Sequence, residues 1–249
     1  MNIESKSDFL KNNKCSICKG TGEVVSTRSV EKCVCIKSWE MSYKLYIKCI
    51  KSGLNKSDLD YDISTYYGSP LIPRAVQGFI RSFKSKSSTN IFFHGTVNTQ
   101  KSTIARYMSR ELIKRGLKTK YILMDSLIKT LIKSHDHDEA IKEAAVENIE
   151  SYLQADFLVI DESFDKERIT LYKSNYQLPF LTTFLKDRLE VIKKSTVFIS
   201  NKTPKEISQQ GFTEALQSLI IRECLLLEFK DSLDKKHAMT STDFLDVFC

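Results

Sequence analysis

The segment that most restricts the possible fold is NIFFHGTVNTQKSTIARYMSREL, residues 90–112. Its apolar start is typical of a buried strand, and its end has the spacing of an amphipathic helix. Gly95 separates the two, and after four further residues the chain continues with Gln100, Lys101 and Ser102. A strand, a loop and a helix in this order resemble a phosphate-binding loop, whose pattern is G-x-x-x-x-G-K-[ST]. The alternative is an ordinary strand–turn–helix with a chance match.

A phosphate loop works because successive backbone N–H groups point at the phosphates and the helix N-terminus adds partial positive charge. Lys101 is then predicted to reach the β- and γ-phosphates, and the Ser102 hydroxyl to hold Mg²⁺. Gln100 departs from the pattern, which has glycine there; if the loop requires a positive φ, the strain is about 1–2 kcal/mol. The predicted nucleotide-binding residues are Gly95, Thr96, Val97, Asn98, Thr99, Gln100, Lys101, Ser102 and Thr103.

A second motif, ADFLVIDESFD, supplies carboxylates. Its four apolar residues, 157–160, end in Asp161 and Glu162. A buried strand with two carboxylates at its end is the Walker B arrangement, in which the aspartate orders Mg²⁺ and its water shell and the glutamate polarises the attacking water. A strand that enters an acidic turn is the common alternative. Together with the phosphate loop, the motif favours a nucleotide hydrolase.

Two further polar positions complete the predicted site. Asn201 follows the apolar run at residues 195–199, where an amide can orient the lytic water or the γ-phosphate. Arg222 lies near the end of the helical pattern FTEALQSLIIREC, where an arginine can act on ATP held by an adjacent subunit. Taken alone, Arg222 is typical of a surface or ion-paired residue. The predicted catalytic residues are Lys101, Asp161, Glu162, Asn201 and Arg222, and the predicted magnesium ligands are Ser102 and Asp161.

From residue 91 onward, short apolar runs alternate with longer helical patterns. The strand candidates are NIFFHG, KYILMD, DFLVIDE, STVFISN and CLLLEFK, and the main helical candidates are KSTIARYMSRELIKRG and YQLPFLTTFLKDRLEVIKK. This alternation predicts an α/β fold with a parallel sheet covered by helices on both faces. Another helix is predicted near residues 74–83. The predicted domains are 1–50, an N-terminal module; 51–73, a linker; and 74–249, the α/β domain.

The N-terminal 50 residues hold five of the seven cysteines. The segment CSICKGTGEVVSTRSVEKCVCIK contains C-x2-C, a gap of fourteen residues and C-x-C. Two close pairs separated by a hairpin-sized gap suit a tetrahedral Zn²⁺ bound by four thiolates, here Cys15, Cys18, Cys33 and Cys35. Because C-x-C is the less common spacing, exchange of one ligand for Cys49 stays open, as does a set of four unrelated thiols.

Overall composition sets wider limits. The net charge of +7 permits contact with nucleic acid without requiring it. No apolar run reaches the ~18 residues needed to span a bilayer, and the first residues lack the apolar core of a signal peptide. We therefore expect a cytoplasmic protein, or one of the host cytoplasm if viral, with no membrane partner and reduced thiols. Trp39, Tyr43 and Tyr46 follow a helical spacing and either face a partner or pack against the zinc module.

In their order and spacing, four motifs resemble the DnaC/IstB-like AAA+ ATPases, the helicase loaders of bacteria and their phages. The motifs are Gly95–Ser102, Asp161–Glu162, Ser200–Asn201 and Arg222. The resemblance covers about residues 63–230, and residues 161–201 are similar to phage-type members. It implies an AAA+ P-loop NTPase fold, ATP and Mg²⁺ as cofactors, a sensor 1 role for Asn201 and an Arg222 that acts in trans. The C-terminal segment offers no clear lid domain, and Lys230 is its weak sensor 2 candidate.

The resemblance also implies a function, ATP-dependent loading of a DnaB-type hexameric helicase onto single-stranded DNA during DNA replication. ATP then lies between subunits of a self-associated oligomer, and the N-terminal zinc module contacts the helicase. Basic side chains such as Arg106, Lys129 and Lys133 are candidates for contact with DNA phosphates. Two alternatives stay open: a scaffold that binds ATP but hydrolyses it weakly because of Gln100, and an IstB-like transposition helper, against which the zinc module argues.

Overall fold

The computed structural model describes residues 5–27, 29–169 and 176–230. The chain divides into two compact units, Met1–Asp60 and Tyr61–Cys249. Their boundary lies inside the segment 51–73, for which the sequence predicts a linker. The sequence expectations for residues 170–175 and for the C-terminal segment after Lys230 lie outside the described residues. Within the part of the chain that is described, no helix is long and apolar enough to cross a bilayer.

The described residues of the N-terminal unit form two α-helices and a hairpin. These are α1 (Lys6–Asn12), the antiparallel strands β1 (Glu23–Val25) and β2 (Val30–Lys32), α2 (Val34–Lys51) and a 3-10 turn at Lys56–Leu59. Gly20 and Gly22 precede the hairpin with φ angles of 89° and 82°, a conformation that glycine adopts without strain. The buried apolar residues described in this unit are Cys18, Cys33, Ile36, Cys49 and Leu54. A core of this size is too small to stabilise a domain without a further constraint.

The second unit is built on a five-stranded sheet with the order β4-β5-β6-β3-β7. Every neighbouring pair in it is parallel. Parallel strands that are covered on both faces have continuous apolar sequences, which is why the five strand candidates were recognisable. All five are confirmed, as β3 (Asn90–Gly95), β4 (Thr119–Leu123), β5 (Phe157–Asp161), β6 (Ser195–Ile199) and β7 (Cys224–Phe229).

Helices connect and cover these strands. They are α3 (Leu71–Ser82), α4 (Lys101–Lys114), α5 (Met124–Lys133), α6 (Glu139–Gln154), α7 (Gln177–Lys186) and α8 (Glu214–Glu223). The helix predicted near residues 74–83 begins three residues earlier, because prolines at positions 70 and 73 are tolerated in a first helical turn. The long helix predicted over residues 176–194 is interrupted, since the α-helix ends at Lys186 and a π-helix follows at Asp187–Ile192.

The π-helix places Arg188, which has no exposed surface, in the interior of the unit. Its guanidinium donates five hydrogen bonds: to the carbonyl oxygens of Tyr152 (2.7 Å), Leu153 (2.8 Å), Ala155 (3.0 Å) and Ser195 (2.7 Å) and to Oγ1 of Thr196 (2.8 Å). Three of these carbonyls lie at the C-terminus of α6, where helix carbonyls lack partners within the helix. Arg188 therefore caps α6 and attaches it to β6.

Candidate functional site

The predicted site residues meet at one edge of the sheet. Strands β5, β6 and β3 are neighbours, and the carboxyl ends of neighbouring parallel strands lie side by side. Asp161 ends β5, Asn201 follows β6 and the loop after Gly95 follows β3. Together they surround a cavity of about 320 Å³. Its lining residues are Val97, Asn98, Thr99, Gln100, Lys101, Ser102, Thr103, Asp161, Glu162, Asp165, Arg168, Ile199, Ser200 and Asn201.

The loop after β3 depends on unusual backbone angles. Gly95 has a φ of 138°, and a Cβ atom there would lie 2.0 Å from the carbonyl oxygen of Phe229 on β7. Asn98 and Gln100 both have a φ of 62°. Gln100 therefore adopts the left-handed conformation, at the position where the phosphate-loop pattern has glycine. The local strain is on the order of 1–2 kcal/mol. Directly after it, α4 begins at Lys101.

A contact with the preceding segment holds the strained loop. The backbone N–H of Tyr67 donates to Oε1 of Gln100 (3.3 Å), and the Tyr67 hydroxyl donates to the carbonyl oxygen of Asn98. The ring of Tyr67 stacks on that of Tyr66. Gln100 thus supplies an acceptor that a glycine lacks. Sequence reasoning missed Tyr67, because no local pattern connects residues that are 33 positions apart.

Lys101 is enclosed by the loop that precedes it. Its side-chain Nζ donates to the carbonyl oxygens of Gly95 (2.9 Å) and Thr96 (2.6 Å) and to Oγ1 of Thr99 (3.2 Å). Burial lowers the pKa of Lys101 to about 8, an effect that the negative charge of Asp161 opposes. The amine is therefore mostly protonated at neutral pH. A phosphate oxygen is a stronger acceptor for this ammonium than a neutral carbonyl.

The carboxylate of Asp161 is held from two sides. Its Oδ1 accepts the N–H of Glu162 (2.8 Å), and its Oδ2 accepts the hydroxyl of Tyr121 on β4. Burial raises the pKa of Tyr121, so the phenol stays a neutral donor. Nη2 of Arg106 lies 4.0 Å from Oδ2 of Asp161, and its guanidinium lies over the Tyr121 ring. Arg106 thus lies beside this carboxylate, and its contact with DNA stays a prediction.

Glu162 turns out of the sheet with a φ of 53°, and its Oε1 lies 3.3 Å from Nη1 of Arg168. The next residue, Ser163, donates its N–H to the carbonyl oxygen of Ile199 (2.7 Å), which fixes this turn to β6. Directly after β6, Ser200 donates its N–H to the carbonyl oxygen of Phe93 on β3 (2.9 Å). These bonds position Glu162 and Asn201 on the same cavity.

Two sequence candidates lie away from the cavity. Arg222, at the end of α8, has a side chain 58% exposed that pairs with Glu190 and, at 2.8 Å, with Glu223. Lys230 pairs with Glu228 at 3.3 Å. A residue that serves the nucleotide of an adjacent subunit is expected outside its own cavity, so the trans role of Arg222 stays a prediction.

The four predicted zinc ligands come together in the N-terminal unit. The Sγ atoms of Cys15, Cys18, Cys33 and Cys35 all lie within 4.8 Å of one another. Sγ of Cys15 lies 3.7 Å from Sγ of Cys33, and Sγ of Cys18 lies 3.4 Å from Sγ of Cys35. Tetrahedral Zn²⁺ with Zn–S bonds of ~2.3 Å requires sulfur atoms about 3.8 Å apart, so this donor set fits the metal. Cys49 is buried but does not belong to the group.

The aromatic residues after the cysteines form one row on α2. The rings of Trp39 and Tyr43 stack at 5.0 Å, Tyr46 lies 6.3 Å from Tyr43, and Phe9 of α1 lies 6.2 Å from Trp39. The row therefore packs against α1, while Tyr43 stays 39% exposed. The ring contacts therefore support packing within the N-terminal unit, while contact of the exposed part of Tyr43 with a partner stays a prediction.

Comparison with known proteins identifies the fold. No family model matches this chain, and neither does any curated protein. Among solved structures, it is similar to "Replication initiator DnaA bound to AMPPCP and single-stranded DNA", with a TM-score of 0.51 and 19% identity over 65% of this chain and 46% of that one. It is also similar to DnaI (TM-score 0.54, 15% identity, 72% of this chain and 92% of that one). The DnaC helicase loader gives a TM-score of 0.52 and 16% identity over 71% of this chain and 100% of that one.

These likenesses confirm the predicted AAA+ fold, with its parallel sheet flanked by helices. The matched region spans about half the length of the DnaA chain. At identities of 15–19% they establish the fold alone.

Proposed function

We propose that this protein is an AAA+ ATPase that loads a hexameric replicative helicase of the DnaB type onto single-stranded DNA. The observation that carries the proposal is the meeting of Lys101, the Asp161–Glu162 pair and Asn201 around one cavity at the carboxyl edge of the sheet. This set provides a cation for phosphate, carboxylates for Mg²⁺ and water, and an amide for orientation, which together are the requirements of nucleotide hydrolysis.

In this proposal each group has one task. Lys101 exchanges its loop oxygens for the β- and γ-phosphates, while the backbone N–H groups from Gly95 to Thr103 surround the phosphates. Ser102 and Asp161 hold Mg²⁺, and the neutral Tyr121 keeps Asp161 oriented. Glu162 polarises the attacking water. Arg222 reaches the nucleotide of the adjacent subunit, so ATP joins subunits into an oligomer.

The choice of a helicase loader rests on fold and charge. The match to this chain extends over 92% of the DnaI chain and 100% of the DnaC helicase loader chain. The similar DnaA structure contains single-stranded DNA. The net charge of +7 suits a partner with a phosphate backbone. We assign helicase contact to the zinc module at residues 1–50, a linker role to 51–73 and ATP and DNA binding to 74–249. We propose that the protein acts in the cytoplasm, or in the host cytoplasm if its source is a phage.

Loading onto a closed DNA circle tests this function, because a ring helicase cannot thread onto a circle without being opened. A labelled oligonucleotide is annealed to circular single-stranded DNA, and its release by a hexameric helicase is followed with and without this protein and ATP. We expect release to rise several-fold when both are present. Equal release with and without the protein would contradict the loader role. A full effect from the Glu162→Gln variant, with ATP still supplied for the helicase, would favour the ATP-binding scaffold instead.

The strain at Gln100 gives a prediction about nucleotide affinity. Glycine tolerates a positive φ and valine does not, so Gln100→Gly is expected to keep MgATP affinity within about threefold of wild type. Gln100→Val is expected to weaken it about tenfold, since a β-branched residue is a pronounced outlier in this conformation. Fluorescent nucleotide titration measures both. Equal affinity of the valine variant and wild type would show that the bound loop does not need this backbone conformation.

Zinc content tests the cysteine cluster. We expect one Zn²⁺ per purified chain by elemental analysis. Cys35→Ala should lose most of the metal and the cooperative thermal unfolding of the N-terminal unit, because this unit has a small core. Cys49→Ala is the matched control and should retain the metal. Loss of zinc from Cys49→Ala with retention in Cys35→Ala would replace Cys35 by Cys49 as the fourth ligand.

A further inference from the structure

The cavity contains a cation that the proposed mechanism has not yet used. Of the described residues that line it, two are basic: Lys101, on the phosphate loop, and Arg168, seven positions after Asp161. Arg222 and Lys230 are absent from the lining and pair with other acidic side chains. Arg168 is thus the one arginine among the described residues that line this cavity.

A fixed turn delivers Arg168 to the cavity. Asp165 is buried, and its Oδ1 accepts the N–H of Glu167 (3.1 Å), while its carbonyl oxygen accepts the N–H of Arg168 (3.0 Å). On either side of the turn, Phe164 and Ile169 are buried in the main apolar core of this unit. The backbone at Arg168 is therefore anchored, although its side chain is 52% exposed.

The partner of Arg168 is the carboxylate predicted to act on water. Oε1 of Glu162 lies 3.3 Å from Nη1 of Arg168, and both residues line the cavity. An exposed pair of this kind contributes little to stability, so a competing anion can replace one partner at small cost. A terminal phosphate is such an anion, because its charge and geometry suit two parallel N–H bonds from a guanidinium.

We propose that Arg168 is a cis-acting arginine that recognises the γ-phosphate of the nucleotide bound to its own subunit, and that it leaves Glu162 when it does so. This inference rests on the proposed ATPase function. The exchange couples two events, since the contact that identifies ATP also frees the carboxylate that hydrolysis requires.

ATP hydrolysis at this site would use water as the nucleophile, Glu162 as the proton acceptor and Arg168 as a fixed positive charge. The oxygen of water forms a bond to the γ-phosphorus, and the bond from that phosphorus to the bridging oxygen breaks, with its electron pair leaving on ADP. Glu162 takes up the proton released by the attacking water and passes it to solvent. Arg168 makes and breaks no covalent bond, and it offsets the negative charge of the transferred phosphoryl group.

The ratio of ATP to ADP affinity tests this assignment apart from activity. For Arg168→Gln we expect MgATP affinity to fall about tenfold and MgADP affinity to change less than about twofold. Lys166→Gln removes a charge from the same turn outside the cavity and should change neither. An Arg168→Gln variant with the wild-type ratio would overturn the proposal. Wild type that binds neither nucleotide would instead overturn the ATPase function on which it rests.

Mixing experiments test whether the arginine acts in cis. Arg168→Gln and Lys101→Ala each lack a group of the same site if Arg168 acts in cis, so a mixture of the two should hydrolyse no more ATP than the variants measured apart. A mixture of Arg222→Gln with Lys101→Ala should regain activity, because an intact loop and an intact trans arginine can meet between subunits. Regained activity in the Arg168→Gln mixture would overturn the cis assignment.

Discussion

Replacing Glu162 by glutamine is expected to slow ATP hydrolysis at least about 100-fold and to leave MgATP affinity within about threefold of wild type. The amide has the size of the carboxylate and still offers an oxygen to Arg168, which lies 3.3 Å away in the native pair. It cannot accept the proton of the attacking water. Binding and chemistry are therefore separated by one substitution.

Steady-state phosphate release, measured with single-stranded DNA and a hexameric helicase present, shows the effect. Glu167→Gln is the matched control, because it makes the same change on an exposed residue of the same turn that does not line the cavity. Its rate should equal that of wild type. If wild type and Glu162→Gln release phosphate at the same background rate, the hydrolase interpretation is wrong and the ATP-binding scaffold replaces it.

Replacing Arg188 by methionine is expected to lower the free energy of unfolding of the second unit by about 3–5 kcal/mol. Methionine fills much of the same space but donates no hydrogen bond. Four carbonyl oxygens and the Thr196 hydroxyl would lose the guanidinium, in a part of the unit where Arg188 itself has no exposed surface. Burial lowers the pKa of Arg188 to about 9, which leaves the native side chain charged at neutral pH.

Urea denaturation followed by circular dichroism measures this loss. Lys186→Met removes a positive charge from an exposed position two residues earlier and should change stability by no more than about 0.5 kcal/mol. Arg188→Lys keeps the charge but has fewer donors and should lie between the two. A loss below about 1 kcal/mol in Arg188→Met would show that α6 and β6 do not depend on this side chain.

Much of the site could be predicted because its parts are local in sequence. The order strand, Gly95, Lys101 and helix is contained in one short segment, and Asp161 and Glu162 end a recognisable apolar run. Parallel pairing then brings the two segments together without further information. The sequence also predicted strain at Gln100 on the condition that the loop requires a positive φ there, and Gln100 has a φ of 62°.

The remaining contacts join segments that are distant in sequence, so no local sequence pattern predicts them. Tyr67 reaches the phosphate loop, and Tyr121 reaches Asp161 from the neighbouring strand. No sequence pattern singled out Arg188, which is buried within the π-helix Asp187–Ile192 and bonds to residues of α6 and β6. Arg168 lies close to Glu162 in sequence, yet its place depends on how the intervening turn is anchored.

Isothermal titration of the purified protein with ATP in the presence of Mg²⁺ tests the central claim most directly. We predict saturable binding by wild type, and binding at least about 30-fold weaker by Lys101→Ala, which loses the ammonium at the centre of the loop. Lys114→Ala, at the exposed end of the same helix, should bind as wild type does. No heat of binding from folded wild type would contradict the claim that the loop around Gln100 encloses a triphosphate.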